Sequence, residues 1–133
     1  KDLVKKEREE LLGLLSGVGV VVEVKSERDL DIITLLSGCG PGIVAFLIST
    51  LANNAKMLGL SAKTANLLAQ KTFNGTLEYL AHANISPEKM IESVATKGGV
   101  TEAILADFAK NGFVKDFTRA ITTGYARIKK LNK

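Results

Sequence analysis

The sequence predicts a mainly α-helical domain with one isolated strand near its N-terminal side. Three observations lead there. Apolar residues recur at helical spacing in nearly every segment after Ser26. Ser, Pro and Gly stand where such helices would start and stop. Only Val20-Val21-Val22-Glu23-Val24 reads convincingly as a strand. The chain has 133 residues, 46% apolar and 24% charged, enough for one domain that buries about 68–70% of its unfolded surface.

In chain order, an amphipathic helix comes first, with Val4, Leu11, Leu12 and Leu15 on one face, and Gly17-Val18-Gly19 ends it. The strand Val20–Val24 cannot form a stable sheet alone, so its sheet belongs to another chain or to another part of the protein. Asp29 to Leu36 forms a short helix or a turn ending at the glycines. Pro41 suits the first position of a long helix that runs to about Leu58 and stops at Gly59. Ser61 caps the next helix, which carries Leu67, Leu68, Phe73, Leu77 and Leu80 into a core. Ser86-Pro87-Glu88 starts a third through Met90, Ile91 and Val94, and Lys97-Gly98-Gly99 breaks it. Thr101-Glu102 opens a fourth with Ile104, Leu105 and Phe108, closed by Asn111-Gly112. The last helix presents Phe113, Phe117, Ile121, Tyr125 and Ile128, and its basic tail suits the helix dipole.

Composition excludes several functions. Net charge is +4, but Lys and Arg are scattered and aromatic residues are few, which argues against a nucleic-acid partner. A single Cys excludes a disulfide framework and multi-cysteine metal sites, and predicts a cytoplasmic protein. The early charged run Lys5–Glu10 gives no sign of a signal peptide. Ile32 to Ala55 holds no charge and is long enough to span a bilayer, yet Ser37–Gly42 is expected to break it. No membrane partner is expected. The dense apolar run Ile43–Ile48 reads instead as a helix buried between two subunits.

Four apparent motifs need weighing. Gly40-Pro41-Gly42-Ile43-Val44-Ala45 fits G-x-G-x-x-A, but no further strands follow and no acidic residue occurs between Asp31 and Glu78. It reads as the start of a helix. Cys39 lacks the flanking glycines of a nucleophile elbow, since those positions hold Ser37 and Pro41, so it reads as a small hydrophobe in a turn. His82 is the only His, and no metal site is expected. Thr96-Lys97-Gly98-Gly99-Val100-Thr101-Glu102 is different, because paired glycines before a helix N-terminus expose consecutive N–H groups to an anion. Chemistry alone leaves two readings open: a carboxylate or phosphate cradle, or a plain corner capped by Thr101.

Two segments together carry a family resemblance. Ile33-Thr34-Leu35-Leu36-Ser37-Gly38-Cys39-Gly40-Pro41-Gly42 resembles the T-x-L-S-G-S-G-P-A-Y block of the pyrroline-5-carboxylate reductases. Val94-Ala95-Thr96-Lys97-Gly98-Gly99-Val100-Thr101 resembles that family's V-x-S-P-G-G-x-T loop. The likeness extends through Gly59-Leu60, Gln70 with Gly75 and Gly112-Phe113, and back to Val20–Val24, which is similar to the last strand of the family's cofactor domain.

The resemblance implies a helical bundle of the 6-phosphogluconate dehydrogenase C-terminal-like type, forming an interlocked homodimer or a higher oligomer. On this basis residues 1–28 are a remnant, helix and orphan strand, of an α/β Rossmann domain, and residues 29–133 are the dimerisation and substrate-binding domain. It implies a parent enzyme that reduces 1-pyrroline-5-carboxylate to L-proline with NADPH or NADH. The present piece would bind no dinucleotide and would be inactive alone. Carried over residue by residue, the N–H groups of Val100 and Thr101 receive the substrate carboxylate, Gly98 and Gly99 permit close approach, and Thr96 assists. The Thr101 hydroxyl is the one catalytic candidate, near substrate and nicotinamide. Cys39, Gly42, Ile43 and Lys97 depart from the family's serine, alanine, aromatic residue and proline. These departures leave open a non-catalytic homodimerisation module or a diverged imino-acid reductase.

Overall fold

The structure, a computed structural model, describes residues 4–131. The first residues of the expected 1–28 segment, and Asn132 and Lys133 of the basic tail, lie outside the described residues. The described residues form α1 (Lys5–Ser16), α2 (Glu27–Ile33), a π-helical turn (Thr34–Gly38), α3 (Gly40–Met57), α4 (Ala62–Ala83), α5 (Pro87–Val94), α6 (Val100–Lys110) and α7 (Phe113–Leu131).

The start of α1 is held by its own third residue, since the Val4 N–H donates to Glu7 Oε2 at 3.0 Å. The segment after α1 differs from expectation. Val20–Val24 is not a strand: it has no ladder partner among the described residues, and Val20 is 95% exposed. Among the described residues it is tethered by the Arg8–Glu23 ion pair. A β-branched run without a neighbouring strand has nothing to take its N–H and C=O groups except water.

Ser26 caps α2 by accepting from the Asp29 N–H at 3.2 Å. The glycines that follow do not break the chain. Helix continues from Glu27 to Met57, 31 residues, through the π turn, in which the Cys39 N–H donates to Thr34 O at 3.1 Å. Pro41 stands at the second position of α3, one residue later than expected. The physical reason is that a proline ring collides with the carbonyl four residues back in a regular α-helix, and an i→i+5 turn widens the coil at that point. By length and composition this helix is apolar enough to cross a membrane, yet only 6% of its most apolar stretch is buried in the single chain.

α3 ends in a Schellman turn. Gly59 adopts φ +104°, its N–H donates to Lys56 O at 3.0 Å, and the Leu60 N–H donates to Ala55 O at 3.1 Å. Ser61 then caps α4, taking the Thr64 N–H at 3.2 Å, and the chain returns along α3. The buried apolar residues of this hairpin are Ala52, Ala65 and Ala69, small enough for the two backbones to approach closely. The expected α4 core is corrected: Leu67, Leu68 and Leu77 are 54%, 50% and 64% exposed, and Phe73 and Leu80 are half-buried. Small residues make the intrachain contact, so the large apolar side chains face away from it.

Ser86 caps α5 as expected, accepting from the Lys89 N–H at 3.3 Å. α6 and α7 pack through a run of rings, Phe108 on Phe113 at 4.7 Å and Phe113 on Phe117 at 6.2 Å between centroids. α7 then lies back across α2 and the π turn, where Leu35 is buried. Between α7 and the start of α3 an apolar cavity of about 440 Å³ is left, bordered by Leu35, Cys39, Ile43, Phe46, Phe117 and Ile121.

Candidate functional site

The loop between α5 and α6 is built so that the first amides of α6 are left over. α5 ends with the Ala95 N–H on Ile91 O at 2.9 Å. The chain then reverses: Gly98 takes φ +75°, and the Gly99 N–H donates to Thr96 O at 2.8 Å. Both glycines are needed. The left-handed φ of Gly98 strains any L side chain. A Cβ on Gly99 would stand 2.7 Å from Thr96 Oγ1 and 2.8 Å from Thr96 O, closer than real Cβ atoms come.

α6 starts at Val100 with Gly99 as its N-cap, so no side-chain oxygen fills the end of the helix. Thr101 lies inside the helix and is not its cap, contrary to the corner expected to be capped by Thr101. Ser26, Ser61 and Ser86 do fill that place at α2, α4 and α5. The N–H groups of Val100, Thr101 and Glu102 have no acceptor among the described residues, and the first helical bond is the Ala103 N–H to Gly99 O at 3.1 Å. Orphan N–H groups and the positive end of the helix dipole coincide here. Thr101 is half-buried, and its hydroxyl makes no hydrogen bond among the described residues. Lys97 is exposed and makes no ion pair among them.

Thr96, Gly98, Gly99, Val100 and Thr101 thus converge on one turn. Sequence reasoning missed Glu102, whose Oε2 accepts the Gly98 N–H at 2.6 Å. The available signal was its place at the third helical position, where a Glu reaches back to the preceding amides.

Other candidates take other places. The G-x-G-x-x-A match lies inside continuous helix, and the N–H groups of Gly42 and Ile43 both donate to Cys39 O, at 3.1 and 3.2 Å. Neither of these two amides is free for a phosphate. Cys39 is an exposed free thiol at the cavity, whereas His82 is exposed on α4. Among the described residues no cluster of His, Cys, Asp and Glu is arranged to hold a metal ion.

Comparison with known proteins adds three findings. The family described as "Pyrroline-5-carboxylate reductase dimerisation" matches residues 27–131. The pyrroline-5-carboxylate reductase of Synechocystis sp. is 36% identical over 120 residues, covering 90% of this chain and 45% of that protein. Two solved structures superpose closely. The Plasmodium falciparum pyrroline carboxylate reductase with NADP bound has a TM-score of 0.87 at 25% identity, over 100% of this chain and 50% of that one. The pyrroline-5-carboxylate reductase from Coxiella burnetii also scores 0.87, at 28% identity, over 98% of this chain and 48% of that one. The chain spans about half the length of the curated relatives it matches.

Proposed function

The chain belongs to the pyrroline-5-carboxylate reductase family through its dimerisation domain, and from that premise we propose that it is the dimerisation and substrate-binding part of an enzyme reducing 1-pyrroline-5-carboxylate to L-proline. The whole enzyme takes hydride from NADPH or NADH and works in the cytoplasm as a homodimer or a larger assembly. Residues 1–28 close its dinucleotide-binding domain, which explains why Val20–Val24 has no sheet to join. Residues 29–133 are the helical domain.

The observation that carries this reading is the uncapped start of α6, where the amides of Val100 and Thr101 lack any acceptor beside Gly98-Gly99. The substrate carboxylate docks on these two N–H groups, an anion at a helix N-terminus. Thr96 and the Thr101 hydroxyl lie around it, and Thr101 faces the imine end. The loop contributes position: it holds the carboxylate so that the imine carbon is presented in one orientation, which is worth more to a hydride transfer than any added group.

Dimer formation is supported by what the single chain leaves bare. Phe46 on α3 is 68% exposed and Leu77 on α4 is 64% exposed, in a domain whose family is defined by dimerisation. A second copy covering α3 accounts for a helix that carries no charge from Gly40 to Ala55 without a bilayer.

Calorimetry with proline tests the site. Saturable binding that needs the carboxylate and weakens by about tenfold in Thr101→Ala is the expected result. Binding unchanged in that variant removes Thr101 from the site. The 133-residue chain by itself is expected to give no turnover with NADPH and 1-pyrroline-5-carboxylate, and measurable turnover would overturn the assignment of the dinucleotide to another domain.

A further inference from the structure

We propose that Glu102 is a positioning residue for the carboxylate loop, acting through Gly98 rather than on the substrate. The inference rests on the cradle reading above. Two hydrogen bonds hold the turn that precedes α6. One is internal to the turn, from the Gly99 N–H to Thr96 O. The other ties the turn to the helix: the Gly98 N–H donates to Glu102 Oε2 at 2.6 Å. That short, charge-assisted bond spans the pair of residues with the greatest backbone freedom in the chain.

Its effect is twofold. It fixes Gly98 in its left-handed conformation, φ +75°, and so sets the direction in which the helix start faces. It also removes the Gly98 N–H from the donors offered to an anion. An arriving carboxylate then meets the amides at the helix start, Val100 and Thr101, rather than that of Gly98. The glycine pair is therefore permissive without being loose.

The test has two parts. In nitrogen-15 spectra of the chain, the Gly98 amide proton should lie downfield and exchange slowly, return to ordinary values in Glu102→Ala, and be partly restored in Glu102→Gln, which keeps an oxygen acceptor. In the whole reductase, Glu102→Ala should raise KM for 1-pyrroline-5-carboxylate about tenfold, the size of one lost charge-assisted bond. KM for the dinucleotide should stay close to the parent value, and Glu102→Gln should recover most of the loss. A helix cap with no positioning role would lower thermal stability and leave the substrate KM in place, and that outcome overturns the proposal. Tighter substrate binding in Glu102→Ala overturns it too, because the carboxylate would then be a competitor for the cradle. Failure of the underlying reading is distinguishable: the parental enzyme would not turn over, or Thr101→Ala would leave KM unchanged.

Discussion

Leu35 Cδ1 lies 3.2 Å from where a Cβ on Gly124 would stand, so α7 rests on the π turn through a glycine. This contact joins the C-terminal helix to the one irregular turn of the long helix. It also borders the apolar cavity, and Leu35 therefore has space to move into.

Substitutions at Gly124 are accordingly expected to split by size. Gly124→Ala should stabilise the chain by up to about 1 kcal/mol, because helix propensity improves and Leu35 yields into the cavity. Gly124→Val should destabilise it by about 1–3 kcal/mol through overpacking and a stiff side chain. Urea unfolding monitored by circular dichroism measures both, and a marked loss in the alanine variant would show that Leu35 is pinned.

Phe46→Asp is expected to abolish self-association. In the single chain Phe46 is 68% exposed, so the substitution removes little intrachain packing. Under a second copy the same carboxylate would be buried without a partner, at a cost of several kcal/mol. Sedimentation across a concentration series checks this, and a variant that stays dimeric would place the interface elsewhere.

The loop glycines are expected to be intolerant in different ways. Gly99→Ala must push against the carbonyl of Thr96, a backbone atom that cannot rotate away, and should open the turn and weaken proline binding by at least about tenfold. Gly98→Ala meets no neighbour, so its effect comes only from the positive φ, about 1–2 kcal/mol of stability. Calorimetric titration together with melting temperatures separates the two effects.

Acid is expected to loosen the start of α5. The carboxyl of Glu88 is held below the ordinary Glu value of 4.5, first by a backbone hydrogen bond at its own residue and then by Ser86. Because the folded pKa is the lower one, the stabilisation is complete above the unfolded value and is lost as pH falls through the folded value. An NMR titration should give Glu88 a midpoint below 4.5, and Ser86→Ala should move that midpoint upward.

Much of this architecture was legible in the sequence because its signals are local. Ser61 and Ser86 stand at their caps, Gly59 and Gly112 take positive φ at helix ends, and Gly98-Gly99 makes the loop. Each depends on side chains and amides a few residues apart, and needs nothing from the rest of the fold. The π turn was not legible. An apolar pattern around Thr34–Gly38 suits either a break or a continuing helix, and the choice lies in which carbonyl the Cys39 N–H reaches. The bond from Glu102 to Gly98 was hidden for a similar reason, since it needed the exact turn of the loop.

The sequence by itself determined the helical class, most helix boundaries and the glycine loop, since propensity, capping and φ preference act over short distances. Only the tertiary structure decided where the core lies. The periodicity of α4 marks Leu67 and Leu77 as apolar face residues, and periodicity cannot distinguish a face covered by the same chain from one left for another. Ala52, Ala65 and Ala69 take the intrachain contact because small side chains let α3 and α4 approach closely. The large side chains are thereby turned outward, and what would be a core in a lone domain is left as an exposed apolar face.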